Sequence, residues 1–199
     1  VTKDKIRDLI AREVEAINNI PIDGSILQAV DLIYAQVHQK HGKVVVTGMG
    51  KAGQIGDNIA TTLSSTGTPA VFIHPAEAQH GDLGVLQSND VVIAISNSGK
   101  TREVVEFEFL ARRLFPHMKL IVLCGNNQSE LCSKADVVLH TGGPAEICPL
   151  GLTPTTSTTV MTVAGDILVV LLMEKIGFTK AQYAMRHHSG YLGQKAKEE

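Results

Sequence analysis

Twice in this chain a short run of β-branched residues ends in a turn that opens a helix. Val44-Val45-Val46-Thr47 leads into Gly48-Met49-Gly50-Lys51-Ala52-Gly53, and Val91-Val92-Ile93-Ala94-Ile95 leads into Ser96-Asn97-Ser98-Gly99-Lys100-Thr101. A strand that is apolar at every position must be covered on both faces, and helical crossovers between parallel strands provide that cover. The rhythm continues with strands expected at 43–47, 70–73, 90–95, 119–123 and 136–140 and helices near 52–66, 101–114 and 128–134. The class is therefore α/β: a three-layer αβα sandwich around a central parallel sheet of about five strands in a flavodoxin-like order, with ligand at the carboxyl ends of the strands.

The flanks fit one domain over 1–199. Residues 1–40 form a helical lead-in, with apolar residues at helical spacing from Ile6 to Val37 broken at Pro21 and Gly24. Residues 41–199 hold the core and C-terminal helices, a long apolar one ending near Ile176 and a short one at 179–186 before His187-His188. The run Lys195–Glu199 is expected to fray. The apolar stretch Val160 to Met173 contains Gly165 and Asp166, falls short of the roughly 20 residues of a membrane span and reads as a buried helix.

Composition narrows the function. Aromatic residues at 4% and a net charge of -2 argue against a nucleic-acid surface. Cys124, Cys132 and Cys148 have no C-x-x-C spacing, which indicates neither a disulfide framework nor a zinc ribbon and favours a reducing cytoplasm.

The two turns suit an anion. Gly48-x-Gly50-x-x-Gly53 matches the dinucleotide fingerprint in form, but His74-Pro75 stands where an acid should end the next strand to hold a ribose. The P-loop reading fails because Val45 replaces its first glycine and Ala52 its Ser or Thr. A structural alternative is that these glycines only let the helix pack closely on the sheet. In the second turn Ser96, Ser98 and Thr101 offer three hydroxyls at a helix N-terminus, more than a cap requires and the right size for a monophosphate. Glu103 follows in the same helix, where dipole complementarity is the alternative to chemistry. Glu146, in the apolar loop Pro144 to Pro149, is expected to have a raised pKa that suits a general base. His187 and His188 have Gly190 and Gly193 nearby to allow close backbone approach. His74, His80 and Asp82 lack a helical metal-binding spacing.

These segments together resemble the sugar isomerase (SIS) domain, and closely the arabinose-5-phosphate isomerase family. The resemblance runs through residues 47–53, 64–69, His74 to Gly84, Ser96-Asn97-Ser98-Gly99, Glu146 to Thr155 and His187 to Gly193. It implies cofactor-free interconversion of D-ribulose 5-phosphate and D-arabinose 5-phosphate, on the route to the Kdo sugar of lipopolysaccharide, in a cytoplasmic homotetramer with sites at subunit contacts. By motif match Lys51, Glu103, Glu146 and His187 fall on the catalytic positions. Gly48, Ser96, Asn97, Ser98, Thr101, His80 and His188 fall to substrate binding, with His80 tied to inhibitory rather than required zinc. Lys100 stands where a Glu is usual and His188-Ser189 where Pro-Gly is usual. Family members carry CBS modules after this domain and the sequence ends without them, which points regulation, such as feedback by CMP-Kdo, to the domain itself. A non-catalytic sugar-phosphate sensor and an isomerase of a heptose or hexulose phosphate are the competing readings. The first lacks a basic recognition helix within 4–39 to make it a DNA-binding regulator.

Overall fold

The computed structural model describes residues 1–188 and Lys195; residues 189–194 and 196–199, Gly190, Gly193 and most of the terminal charged run among them, lie outside the described residues. Its centre is a five-stranded parallel sheet made of β1 (Val44–Gly48), β2 (Ala70–Phe72), β3 (Val91–Ile95), β4 (Lys119–Cys124) and β5 (Val137–His140). The strand order β2-β1-β3-β4-β5 is the flavodoxin-like order expected. Alternation of side chains along each strand divides the core in two. Val44, Val46, Val91, Ile93, Ile95, Ile121 and Leu123 pack to one face and Val45, Val92, Ala94, Leu120 and Val122 to the other.

The first face is covered by α2 (Ser25–Ile33), α3 (Gly50–Ser65) and α7 (Thr156–Ile176), through Ile33, Ile59, Leu63, Met161 and Leu168. The second is covered by α4 (Pro75–Ala78), α5 (Arg102–Leu114) and α6 (Glu130–Ser133), through Ala78, Val104, Phe107, Ala111 and Leu131. Each large apolar side chain so buried contributes about 1.5–3 kcal/mol. The lead-in helix α1 (Lys3–Asn18) packs on α7, and α2 runs into a π-helical turn at Tyr34–Gln39. The segment after β2 holds two further elements beyond those read from periodicity, α4 and a 3-10 turn at Asp82–Val85, each of four residues and too short to show a period.

α7 spans 21 residues, longer than its apolar stretch suggested, and by length and composition alone it would cross a membrane. Half of that window is buried inside the domain, which makes it a core helix. It ends at Gly177, whose φ of 62° is the left-handed conformation of a helix stop. The short α8 (Lys180–Arg186) follows, opened by a capping box between Thr179 and Gln182.

One register detail places the site. Gly48 is the parallel partner of Ile95, so the two turns leave the sheet side by side where the strand order reverses.

Candidate active site

The first turn is built on glycine for two separate reasons. Gly50 takes φ 60° as α3 begins, a conformation other residues adopt at a cost. Gly53 seats the helix on the strand end: a Cβ there would lie 2.5 Å from the Gly48 carbonyl oxygen, and one on Gly56 would lie 3.1 Å from the Phe72 ring. Close packing and an open turn are therefore both realised. Lys51 projects from the start of α3 with its Nζ 3.4 Å from Gln54 Oε1.

The second turn is braced internally. Ser96, 1% exposed, accepts the Gly99 amide at 3.1 Å and shares a hydrogen with Thr101 across 2.8 Å between their hydroxyl oxygens. The Ser98 hydroxyl accepts the Lys100 amide at 3.1 Å. Each hydroxyl that accepts still has a proton to donate, and the Ser96–Thr101 pair uses one proton for two oxygens. The turn thus offers O–H donors beside the unpaired amides that open α5.

Sequence reading missed what supports this turn from behind. Gly125 donates its N–H to the Asn97 carbonyl at 3.0 Å, and Asn126 Nδ2 donates to the Ser98 carbonyl at 3.3 Å. Gly99, at φ 63°, leaves so little room that a Cβ would lie 2.0 Å from Ser129 Oγ. A glycine and an asparagine just past a strand look like any turn until the neighbouring strand is placed beside them.

Facing both turns is the segment from Pro144 to Thr158. Together they enclose a cleft of about 470 Å³ lined by Lys51, Ser96, Asn97, Ser98, Thr101, Glu146, Ser157 and Met161 among others. That volume lies within the range of small-molecule sites. Glu146 Oε2 accepts the Thr155 amide at 2.7 Å, the Thr155 hydroxyl at 2.9 Å and the Ser157 amide at 3.3 Å, all at the N-terminus of α7. This overturns the expected raised pKa. Desolvation does push the carboxyl upward, but the hydrogen bonds from Ser157 and Thr155 outweigh it and hold the pKa below the ordinary glutamate value. The loop is apolar in sequence, yet the hydroxyl run 155–159 folds back onto its one acid. A run of Thr and Ser after a proline was the available signal for an anion held at a helix start.

The cleft within one chain therefore gathers Lys51, Ser96, Asn97, Ser98, Thr101 and Glu146 from the expected residues, with Gly48 behind the first turn at the end of β1. Four others do not line it. Glu103 is half-buried in the first turn of α5. His80 is exposed in the turn after α4, its amide bonded to the Glu77 carbonyl at 2.8 Å. His187 stands at the end of α8, its ring 3.7 Å from that of Tyr183 and its Nδ1 3.0 Å from the Tyr183 carbonyl. That bond requires a proton on Nδ1, which leaves Nε2 as the acceptor of the neutral ring. His188 beside it is exposed. Lys100 also turns away, lining a separate depression with Arg102, Phe109 and Lys134 on the far side of the turn. Among the described residues no three His, Cys, Asp or Glu side chains gather as metal ligands.

The SIS domain family matches residues 36–171. The chain is 44% identical over 193 residues to arabinose 5-phosphate isomerase KdsD of Pseudomonas aeruginosa, covering 97% of this chain and 55% of that protein. It is likewise 44% identical to KdsD of Escherichia coli K12, over 189 residues, 95% of this chain and 56% of that protein. The chain thus spans about half the length of these curated relatives. Among solved structures, a Bacteroides fragilis protein assigned to capsule formation as a phosphosugar isomerase is 58% identical with a TM-score of 0.93, covering 94% of this chain and 98% of that one. The protein c3406 of Escherichia coli CFT073, solved in complex with arabinose 5-phosphate, is 34% identical with a TM-score of 0.83, covering 94% and 100%. The Vibrio vulnificus NanR protein, at 21% identity and a TM-score of 0.74, shares the fold alone. With a family match across most of its length and relatives 44% identical over nearly all of it, this chain belongs to the SIS domain family.

Proposed function

We propose that this chain, acting as one SIS domain, is an aldose-ketose isomerase that interconverts D-ribulose 5-phosphate and D-arabinose 5-phosphate without a cofactor, supplying Kdo for lipopolysaccharide in the cytoplasm. The observation that carries the reading is the cleft itself, which sets a hydroxyl-rich turn opposite a carboxylate with an ammonium group beside them. The names of the curated relatives and the neighbour solved with arabinose 5-phosphate support this choice of pentose phosphate.

In this reading Ser96, Ser98, Thr101, Asn97 and the turn amides hold the phosphate, so that binding at the unreactive end positions the carbons. Glu146 takes a proton from C1 of the ketose, leaving a cis-enediol, and returns a proton to C2 to give the aldose. Its carboxylate is ionised throughout the neutral range, and Lys51 offsets its modest basicity by stabilising the enediolate oxygen. A raised pKa no longer distinguishes Glu146 from Glu103; its place in the cleft does. His187 moves protons between the oxygens or opens the furanose ring, and like Glu103, His80 and His188 it completes the site from a neighbouring subunit.

A homotetramer is part of the proposal. Ile6, Ile10 and Val14 lie four residues apart on α1 and are each about half exposed, and Ile167 and Val170 on α7 are exposed as well. Such apolar stripes suit burial against another copy. Inhibition by zinc at His80 and feedback by CMP-Kdo belong to the same reading, and a flat response to added CMP-Kdo removes the second. The test of the reaction is incubation with ribulose 5-phosphate in deuterated water. Arabinose 5-phosphate carrying deuterium at C2 is expected; phosphosugar binding without turnover would leave a sensor instead.

A further inference from the structure

We propose that Arg12 and Glu13 of α1, neither of which lines the cleft, are positioning residues for Glu146, clamping the loop that carries it. Arg12 Nη2 donates to the Glu146 main-chain carbonyl at 3.3 Å. Glu13 Oε1 accepts the Thr156 hydroxyl proton at 2.9 Å, and the same Thr156 oxygen accepts the amide of Ile147 at 3.1 Å. Both polar groups of the peptide unit that joins Glu146 to Ile147 are therefore linked to α1, the carbonyl directly by Arg12 and the amide through the Thr156 hydroxyl to Glu13. The Glu146 side chain is tied to the start of α7.

The chemistry of the two residues points to orientation rather than packing. Thr156 is fully buried, so its hydroxyl must donate somewhere, and Glu13 fixes the direction. With its proton committed to Glu13, the Thr156 oxygen presents its lone pairs to Ile147. Glu13 Oε2 is buried without a partner among the described residues, an arrangement that costs stability and that an apolar side chain of similar size would avoid. Retaining an acid there is explained if its other oxygen is needed to set the loop. Because a displacement of about 1 Å at a reacting group costs on the order of 100-fold in rate, a loop tied on both sides is worth that cost.

This inference rests on Glu146 acting in proton transfer, and the experiment separates the two. Purified full chains carrying Glu13→Ala, Glu13→Gln, Arg12→Met, Glu146→Gln and the pairs Glu13→Ala/Glu146→Gln and Arg12→Met/Glu146→Gln are assayed for kcat and KM with ribulose 5-phosphate. Glu13→Ala and Arg12→Met are expected to lower kcat by roughly 10- to 100-fold with KM changed by less than about 3-fold, the pattern of a misplaced reacting group. Glu13→Gln, which keeps the acceptor oxygen, is expected to recover most of kcat. In the Glu146→Gln background neither clamp substitution should lower the residual rate further, because the group it positions is already gone. Full kcat in both Glu13→Ala and Arg12→Met, or equal losses in the two backgrounds, overturns the clamp while leaving Glu146 in place. Normal turnover by Glu146→Gln instead removes Glu146 from the reaction, and the clamp with it. Should Glu13→Ala not fold, the Arg12→Met cycle decides alone.

Discussion

Replacing Gly99 by alanine tests whether the hydroxyl turn is a built site or an ordinary helix entry. The substitution acts in two ways that can be separated. Holding a non-glycine residue at φ 63° costs about 1–2 kcal/mol. The added Cβ would also lie 2.0 Å from Ser129 Oγ and 2.4 Å from Ser129 Cβ, so the turn or the start of α6 must move by about an ångström. Overpacking of this kind adds about 1–3 kcal/mol. For a chain of this size each kcal/mol lowers the thermal midpoint by about 2–4 °C, so a fall on the order of 10 °C is expected. The turn carries Ser96, Ser98 and Thr101, and a shift of about 1 Å is expected to lower kcat/KM by roughly 100-fold. Ser129→Gly isolates the clash, since it empties the space while glycine in place of the Ser129 cap on the Cys132 amide costs only a few tenths of a kcal/mol. The double variant should regain the overpacking part, about 1–3 kcal/mol, and keep the loss due to φ. Thermal melts and steady-state rates on the four proteins complete the cycle. Unchanged kcat/KM in Gly99→Ala despite a lowered midpoint would refute the assignment of this turn to the ligand, and no coupling with Ser129 would refute the steric reasoning.

Two further predictions concern ionisation. Because hydrogen bonds hold Glu146 below the ordinary glutamate pKa, its ionisation favours folding above the unfolded-state pKa, and that stability is lost as pH falls through the lower folded value. The acid limb of kcat should accordingly lie below the ordinary glutamate value, and Thr155→Val, which removes one hydroxyl donor, should move it upward; an acid limb near pH ~6 in the unaltered protein would contradict the Glu146 assignment. Cys148 is held down to about 6 by hydrogen bonds from the Thr153 side chain and the amides of Leu152, Thr153 and Leu150, whereas burial pushes the Cys124 thiol up. Iodoacetamide at neutral pH followed by mass spectrometry should therefore label Cys148 first and leave Cys124 until unfolding; equal labelling of both would show that these local bonds do not persist in solution.

The sheet was legible because its strands are apolar on both faces and alternate with helices, the pattern of a covered parallel sheet, and each strand is local in sequence. Val44–Gly48 and Val91–Ile95 lie within a residue of where periodicity put them, and the hydroxyls of 96–101 stand in the turn between β3 and α5 where the sequence put them. The short helical turns Pro75–Ala78 and Asp82–Val85, which have no period to read, stayed hidden, whereas Glu130–Ser133 of the same length was expected between two strands. The pKa of Glu146 was misjudged for another reason. Its pKa depends less on the apolar residues beside it in sequence than on Thr155 and Ser157, which meet it only when the loop closes onto α7. The same holds for Ser129 behind Gly99 and for Glu13 under Thr156, which is 143 residues away. Backbone pattern is set by neighbours along the chain and can be read from them; the field and hydrogen bonds at a side chain are set by neighbours in space. For this protein the sequence by itself determined the class of sheet and the two strand-to-helix turns. The fold decided which carboxylate lines the cleft, what holds it ionised, and which of the expected residues a single chain leaves outside it.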